Sequence, residues 1–196
     1  MENTKKTNQA PKKENRKTKH TRQAIRDSLI ELMGTQPVTC ITIKEICALA
    51  GISRPTFYAH YRDQYDLLKT IEDEISVYFE NVIFADKAEE HTKREIRQKT
   101  EEALRYIENN SNSIQVLISE NADAGFRKRF FRRFTEYVRH AAKNYLENNA
   151  VPEISELYSV FTVQGLIALV QHWLKNGMNP PKKELAAIIT ELIWTH

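Results

Sequence analysis

The stretch AGISRPTFYAHY, residues 50–61, contains side chains whose types suit contact with a nucleic acid. Arg54 carries the fork of donors that pairs bidentately with guanine, while Pro55 and Thr56 can make apolar contact with a thymine methyl group. These three residues stand at the front of a predicted short helix, where they can point outward. Their types and positions therefore indicate a surface that reads base edges in a major groove.

Neighbouring residues are suited to the DNA backbone rather than to its bases. Tyr58 and His60 carry donors for phosphate oxygens, and Lys44 at the start of the preceding helix can act in the same way. The N-terminal amides of the helix that follows Ser53 also favour phosphate. The alternative interpretation is a unit packed for structure alone, with Tyr58 and Tyr61 as core aromatics.

Two short helices joined by a tight turn must position these side chains. Thr42 and Glu45 have the spacing of a capping box, in which each side chain binds a free backbone amide. Ser53 is a second N-cap, and Pro55 stands in the first turn, where its missing N–H costs nothing. Gly51 can adopt the left-handed conformation that the turn requires. The pattern predicts a helix-turn-helix.

Four residues are assigned structural roles in this unit: Cys47, Gly51, Phe57 and Tyr61. Cys47, four residues before Gly51, is small and apolar where the two helices cross closely. Phe57, six residues after the glycine, supplies a large apolar anchor. Ile46 and Leu49 are expected to face inward. The sequence predicts an earlier helix over about 21–33 that Gly34 ends.

Residues 42–68, TIKEICALAGISRPTFYAHYRDQYDLL, resemble the DNA-binding region of TetR-type transcriptional regulators. The resemblance covers about residues 20–70 and rests on a threonine-capped helix, an A-G-[IV]-S turn and an F-Y-x-[YH]-[FY] run. It implies that three N-terminal helices bind DNA, that a fourth links them to the rest, and that the remaining helices hold a ligand pocket and a dimer interface.

The resemblance also implies roles for individual residues. It places base contacts on Arg54, Pro55 and Thr56, and the implied DNA-binding set also includes Thr42, Lys44, Ser53, Tyr58 and His60. Two positions depart from the family pattern. Cys47 replaces the usual alanine. Gln64 stands where the family commonly has a lysine that holds a phosphate, so either that contact is weaker here or Arg62 or the basic tail compensates for it.

The charge of the chain is divided between its two ends. Residues 1–62 contain 12 Lys/Arg and 5 Asp/Glu, a net +7, whereas residues 63–196 contain 17 and 21, a net −4. A basic front and an acidic back suggest that the front meets a polyanion. Residues 1–17 have almost no apolar side chains, so we predict a disordered basic tail there, with simple solvation as the alternative role.

Apolar spacing predicts an all-α protein of about nine helices with no convincing strand. The predicted organisation is a tail (1–17), a helix-turn-helix domain (18–62), a linker helix (63–85) and a C-terminal effector-binding and dimerisation domain (86–196). Asp63 is expected to cap the linker helix, whose apolar stripe is predicted to comprise Tyr65, Leu68, Ile71, Ile75 and Phe79.

Residues 161–192, FTVQGLIALVQHWLKNGMNPPKKELAAIITEL, resemble the end of a TetR-like C-terminal domain of Firmicutes regulators. The first of its helices is apolar around most of its circumference and must be buried. Two such helices from each of two chains would make a four-helix interface, with an intramolecular core as the alternative. The predicted dimer contacts are Phe161, Leu166, Leu169, Trp173, Leu185 and Ile189.

The segment FRKRFFRRF, residues 126–134, combines an apolar stripe with four arginines. One interpretation is an arginine that guards a pocket for an anionic, aromatic or lipid-like ligand, and a second DNA surface is another. A core stripe with a solvated basic face is favoured. The candidate pocket residues are Phe79, Tyr106, Phe130, Phe134 and Tyr158.

No motif indicates catalysis, and no cofactor or metal site is expected, since no two histidines stand at i, i+4 with a carboxylate partner. Cys40 and Cys47 are expected to be buried thiols rather than a redox pair. No apolar run is judged long enough to span a membrane, so a cytoplasmic protein is expected.

The sequence therefore predicts a homodimeric, sequence-specific regulator that is not an enzyme. It would be a repressor that a small-molecule effector of unknown identity releases from a palindromic operator. The first alternative is a coactivator-type regulator whose C-terminal domain binds a protein partner. The second is an architectural DNA-binding protein without sequence preference.

Overall fold

A computed structural model describes residues 16–83, 92–119, 122–145 and 152–194, and these residues form helices with no strand among them. The helices are α1 (Arg16–Met33), α2 (Ile43–Ala50), α3 (Arg54–Tyr58), α4 (Gln64–Val82), α5 (Lys93–Asn109), α6 (Ser111–Leu117), α7 (Ala124–Tyr145), α8 (Pro152–Lys175) and α9 (Lys182–Trp194). The all-α prediction is confirmed.

The first helix begins earlier than the sequence suggested. α1 starts at Arg16, so Arg16 and Lys17 belong to a helix and not to the predicted tail; the rest of that tail lies outside the described residues. At the other end the Gly34 amide donates to the Ile30 carbonyl at 3.1 Å, which ends α1 where predicted. In the N-terminal unit, α1 packs against α2 and α4.

The linker helix α4 runs from the N-terminal unit into the C-terminal body. Its N-cap is Asp63, whose carboxylate accepts the Asp66 amide at 2.8 Å. Leu68, Ile71, Ile75 and Phe79 are buried as predicted. The predicted linker extended to residue 85, and its last residues lie outside the described part of the chain.

Two side chains that were predicted to face the core do not do so. Leu49 is 45% exposed and Tyr65 is 48% exposed. Leu49 lies in the last turn of α2, and Tyr65 in the first turn of α4, beyond the core that covers Ile46 and Leu68. Helical spacing assigns a residue to a face, but it does not show where along the helix the neighbouring core stops.

Four contacts fix how the C-terminal helices are arranged. Lys93 at the start of α5 pairs with Glu191 at the end of α9, with 2.7 Å between nitrogen and oxygen. Lys182 at the start of α9 pairs with Glu108 at the end of α5. These two ion pairs make α5 and α9 antiparallel neighbours. Of the other two contacts, Tyr158 to the Ile193 carbonyl joins α8 to α9, and Gln171 to the Ile118 carbonyl joins α8 to the end of α6.

The end of α8 is fixed by a glycine turn. Gly177 has φ 67°, and the Met178 amide donates to the Trp173 carbonyl at 2.8 Å. The Trp173 indole also donates to the Pro180 carbonyl at 2.7 Å, and its side chain is only 1% exposed. This turn reverses the chain into α9 and buries the tryptophan within one chain.

Part of the predicted dimer interface is instead core. Trp173, Leu185 and Ile189 are 1%, 3% and 4% exposed in the single chain, so these side chains have almost no surface to offer a second copy. Phe161 is 78% exposed, and Leu166 and Leu169 are half-buried. A helix that is apolar all round does not reveal which side meets its own core, which explains the error.

One described helix segment, Glu156–Lys175 in α8, is long and apolar enough to cross a membrane, with a mean hydropathy of 1.3. This corrects the expectation that no apolar run reaches that length. A single helix of this kind is weak evidence for a membrane span, because helices in the core of a soluble protein can have the same length and composition.

Candidate nucleic-acid interface and ligand cavity

The capping box at the start of α2 is present. The Thr42 amide donates to a Glu45 carboxylate oxygen at 2.8 Å, and the Glu45 amide donates to the Thr42 hydroxyl oxygen at 3.3 Å. The Thr42 hydroxyl and the Thr42 amide both donate to the Glu45 carboxylate, which lowers the pKa of Glu45 and keeps the carboxylate ionised. The Thr42 hydroxyl also donates to Glu45 at 2.6 Å, so a phosphate contact from that hydroxyl would have to replace this bond.

The turn between α2 and α3 follows the predicted geometry. Gly51 has φ 65°, in the left-handed region, and the Ile52 amide donates to the Cys47 carbonyl at 3.0 Å. Ser53 caps α3 by accepting the Thr56 amide at 3.3 Å. Two caps and one glycine therefore fix the direction in which α3 leaves the turn.

The far side of α3 is held by a closed aromatic core. Phe57 is fully buried, and its ring lies 5.7 Å from Tyr58 and 5.9 Å from Tyr61 between centroids. Cys47 and Tyr61 are also buried, at 5% and 6% exposure. The four residues given structural roles thus occupy the positions that those roles require.

The residues assigned to DNA lie mostly at the surface. Tyr58 is 56% exposed. Thr42, Lys44, Ser53, Arg54 and Pro55 are also exposed, while Thr56 and His60 are half-buried. α3 ends at Tyr58, so His60 lies just beyond the helix. The geometry brings these side chains together on and around two short helices, but their DNA contacts stay a prediction.

The two cysteines differ in exposure. Both are free, and Cys40 is exposed whereas Cys47 is buried. The expectation of a buried thiol therefore fails at Cys40. Burial raises the pKa of the Cys47 thiol, which keeps it protonated and suits its packing role.

The C-terminal body contains a cavity of about 220 Å³. Helices α4 to α9 all contribute to its wall. Four of the five predicted pocket residues line it: Phe79, Phe130, Phe134 and Tyr158. Tyr106 does not line it but stacks on Tyr78, with 3.6 Å between ring centroids, and packs edge-on against Phe79.

The FRKRFFRRF segment of α7 forms a core stripe with a basic outer face. Phe130 contacts Phe79, Phe126 and Phe134 at centroid distances of 5.4, 5.4 and 5.2 Å. No arginine belongs to the described cavity wall. Arg133 instead forms two hydrogen bonds of 2.8 Å to Glu80 on α4, which ties α7 to the linker helix.

One notable residue was not identified from the sequence. Glu72 on α4 is 6% exposed, and its Oε1 atom has no hydrogen-bond partner. Burial, reinforced by the nearby Asp123 carboxylate, raises the pKa of Glu72 to about 7. The sequence does not reveal this burial, because Glu72 is a charged residue one position from the apolar stripe. Its neighbours include Asp123, in the turn before α7, which is distant in the chain.

Comparison with known proteins defines the class. A protein-family model described as a transcriptional regulator C-terminal region, of TetR type, matches residues 94–194, slightly more than half of the chain. The chain belongs to the TetR family of transcriptional regulators.

Solved structures agree with this fold at low sequence identity. A TetR transcriptional regulator from Streptococcus agalactiae 2603V is 22% identical, covers 91% of this chain and 96% of its own, and has a TM-score of 0.58. The dihydroxyacetone kinase operon activator DhaS is 17% identical, with coverages of 89% and 94% and a TM-score of 0.56. SmeT, the repressor of the Stenotrophomonas maltophilia multidrug efflux pump SmeDEF, is 14% identical, with 91% and 90% coverage and a TM-score of 0.64.

Proposed function

We propose that this chain is a sequence-specific DNA-binding repressor that binds a palindromic operator as a cytoplasmic homodimer and releases it when a small molecule occupies the cavity. The observation that carries this proposal is the fixed reading head: Arg54, Pro55 and Tyr58 are exposed on a helix held by the Ser53 cap and the buried Phe57. Family membership supports the regulator class, and relatives include both an activator and a repressor.

A second copy would cover the exposed apolar side chains of α8 and α9. Leu157, Val160 and Phe161 are 71%, 46% and 78% exposed, and Ile188 and Leu192 are 46% and 53% exposed. Apolar groups this exposed on adjacent helices mark an interaction surface. Phe161→Glu should convert the dimer to a monomer in analytical ultracentrifugation. The exposed Val77→Glu on α4 is the matched control and should leave the mass unchanged.

The coupling between cavity and DNA would run through α4. Ile75 and Phe79 of this helix line the cavity, as does Ile83 just after it. Leu67, Leu68 and Ile71 lie in the buried core on its N-terminal side. Arg26 on α1 contacts Glu74 on α4 at 2.6 Å. A ligand that favours one position of α4 would therefore shift the reading head, provided that it binds that geometry more tightly.

The protein-partner alternative is less well supported. It would be favoured by an exposed apolar patch without an internal cavity, and the described body contains both a patch and a cavity. An architectural role without sequence preference would require DNA binding by charge alone, and it is distinguished by the experiment below.

The test is selection from fragmented genomic DNA with purified protein and with an Arg54→Ala, Tyr58→Ala variant. We expect the intact protein alone to recover a palindromic site. Arg54→Ala should relax preference at one base pair per half-site, by about 1–3 kcal/mol. Tyr58→Phe should weaken binding to all DNA sequences by a similar factor, since it removes the hydroxyl proposed to contact a phosphate. Equal, sequence-blind recovery by both proteins would overturn the proposal.

A further inference from the structure

Four phenylalanine rings of the cavity wall form one connected cluster. They lie on α4 and α7 and are Phe79, Phe126, Phe130 and Phe134. The last three are spaced four residues apart, so they share one face of α7. Phe79 joins them from α4, with its ring centroid 5.4 Å from that of Phe130 and 5.5 Å from that of Phe134. The two helices thus present a continuous aromatic surface to the cavity.

The rings of this cluster meet mainly edge to face. Phe79 stands at 85° to Phe130 and at 64° to Phe134, and Phe130 stands at 60° to Phe134. Aromatic rings prefer this arrangement, because the positive edge of one ring meets the negative face of the next. A ligand with an aromatic ring can extend the same pattern. A saturated group of equal size would gain only from the contact area.

Phe130 and Phe134 still have surface that the protein does not cover. Both are half-buried, although the Phe130 ring already contacts Phe79, Phe126 and Phe134. Phe57 in the reading head, by contrast, is fully buried. Because Phe130 and Phe134 line the cavity, a ligand there would remove more of their apolar surface from water, which favours binding.

The four polar side chains of the described wall already have partners inside the protein. The Thr100 hydroxyl donates to a backbone carbonyl at 2.8 Å, and the Tyr158 hydroxyl donates to another at 3.3 Å. Lys99 and Tyr137, the other two polar residues of that wall, also have interaction partners in the protein. A ligand would therefore have to compete with existing interactions for these groups.

The charges of the described wall disfavour a charged ligand. No carboxylate belongs to it, so a bound ammonium would lack an opposite charge there. Lys99 is its one cation, and a bound carboxylate would compete with the partner that Lys99 already has. Moving a charge from water into apolar surroundings without a full partner costs free energy. An uncharged ligand avoids this cost.

We propose that the cavity binds an uncharged molecule whose main part is an aromatic ring, packed against Phe130 and Phe134. This inference rests on the proposed function in that it takes the cavity to be the effector site. The aromatic cluster favours a ring over an alkyl chain. The engaged polar side chains favour a neutral ligand over an ion.

The volume of the cavity sets the size of this ligand. An apolar cavity of roughly 150 Å³ holds one benzene molecule, so in proportion a cavity of about 220 Å³ admits an aromatic molecule of about nine carbon atoms. A single ring with a short side chain has this size. Each methylene added to the ring up to that size should tighten binding by roughly fourfold.

The first test measures binding of matched probes to the purified full-length chain by titration calorimetry. The reference probe is 3-phenylpropan-1-ol, which is uncharged and soluble in water. Benzyl alcohol shortens its side chain, and 3-cyclohexylpropan-1-ol replaces its aromatic ring by a saturated one. The ions 3-phenylpropanoate and 3-phenylpropylammonium add a negative or a positive charge. Affinities of the aromatic and saturated alcohols are compared relative to their partition from water into hexadecane, which cancels their difference in hydrophobicity.

The wild-type protein alone can decide the ligand class. On the partition-corrected scale, 3-phenylpropan-1-ol should bind roughly fivefold more tightly than 3-cyclohexylpropan-1-ol. It should bind about tenfold more tightly than benzyl alcohol and at least about tenfold more tightly than either ion. Equal corrected affinity for the aromatic and saturated alcohols, or tighter binding of either ion, would overturn the inference.

The double variant Phe130→Leu, Phe134→Leu locates the aromatic preference, because it removes two rings and keeps the wall apolar. The preference for the aromatic alcohol should disappear, while binding of the saturated alcohol stays close to that of wild type. The matched control is Ile167→Leu, Val170→Leu, which alters two aliphatic wall residues and should retain the preference. If the folded phenylalanine variant retains the full preference, the inference is wrong. The two single variants decide in the same way if the double variant does not fold.

The ligand inference and the proposed function can fail separately. If 3-phenylpropan-1-ol binds with the expected preferences but does not release the selected operator, the ligand class stands and the effector role fails. If a charged compound releases the operator and the uncharged aromatic probes do not bind, the regulator stands and the ligand class is wrong.

Discussion

The reading head and the C-terminal body are built on opposite packing principles. Around Phe57 the core is closed: Ile25, Leu29 and Ile46 are fully buried, and the two short helices there are both capped. Around Phe130 the core surrounds a cavity of about 220 Å³. A closed core holds exposed side chains in one arrangement, whereas an open one leaves surface whose burial can drive ligand binding.

The linker helix α4 contains both kinds of packing. Its first half, through Ile71, is part of the closed core, and its second half, from Ile75, forms cavity wall. Glu72 stands where one changes to the other. Substitutions in the two regions can therefore test how tightly each half of this one helix is held.

The largest expected effect is from the same substitution made in each region. Phe57→Ala should reduce the free energy of unfolding by about 3–5 kcal/mol, because it empties a fully packed site. Phe130→Ala should reduce it less, because Phe130 already borders empty space and loses fewer contacts. Urea unfolding of both variants measures the difference. Equal losses in the free energy of unfolding would mean that Phe130 is packed as tightly as Phe57 despite the cavity.

The next prediction concerns Glu72, where the packing of α4 changes from closed core to cavity wall. Glu72→Gln should raise the free energy of unfolding at pH 8 by about 2–3 kcal/mol. The carboxyl has a folded pKa of about 7 against an ordinary value of 4.5, so between those values the folded state binds more protons. Stability from this group is therefore full below about pH 4.5 and falls as pH rises toward 7.

The measurement is urea unfolding of wild type and Glu72→Gln at intervals from pH 5 to pH 8. The groups that act on Glu72 are Asp123 immediately before α7, Arg129 on α7, and Lys69 and Asp73 on its own helix. The difference between the two proteins should grow with pH. The exposed Glu74→Gln on the same helix is the control, and a constant difference for Glu72→Gln would mean that its carboxyl is not buried in solution.

The sequence predicted the closed region well because its signals are local. The Thr42–Glu45 box, the left-handed Gly51 and the Ser53 cap each depend on residues at most a few positions apart. Phe57 follows from its distance to the glycine. The errors at Leu49 and Tyr65 come at helix ends, where exposure depends on how far neighbouring helices extend.

The open region was less predictable because its packing depends on distant residues. α8 is apolar on nearly every side, so spacing could not distinguish Trp173, which is core, from Leu157 and Phe161, which are exposed. The burial of Glu72 and the lining of the cavity depend on residues that are far apart in the chain. Ion pairs such as Lys93–Glu191, which only the structure shows, fix which helices are neighbours there.

The smallest effect compares the two capping boxes, one in each region. Thr92 caps α5 as Thr42 caps α2, with amide-to-carboxylate distances of 2.8 Å in both. Thr42→Ala and Thr92→Ala should each reduce the free energy of unfolding by about 1 kcal/mol, measured in urea. Their effects on operator affinity should differ. Thr42→Ala also disorders the start of the helix that carries Lys44, whereas Thr92→Ala loosens only the body.

Serine variants separate the cap from the methyl group. Thr42→Ser retains the hydroxyl that accepts the Glu45 amide, so it should keep both stability and operator affinity close to wild type. If Thr92→Ala weakens operator binding as strongly as Thr42→Ala, the open body would control the reading head even without ligand. The reading head would then not be held by its own caps and core, and the contrast between the two regions would fail where it matters for DNA binding.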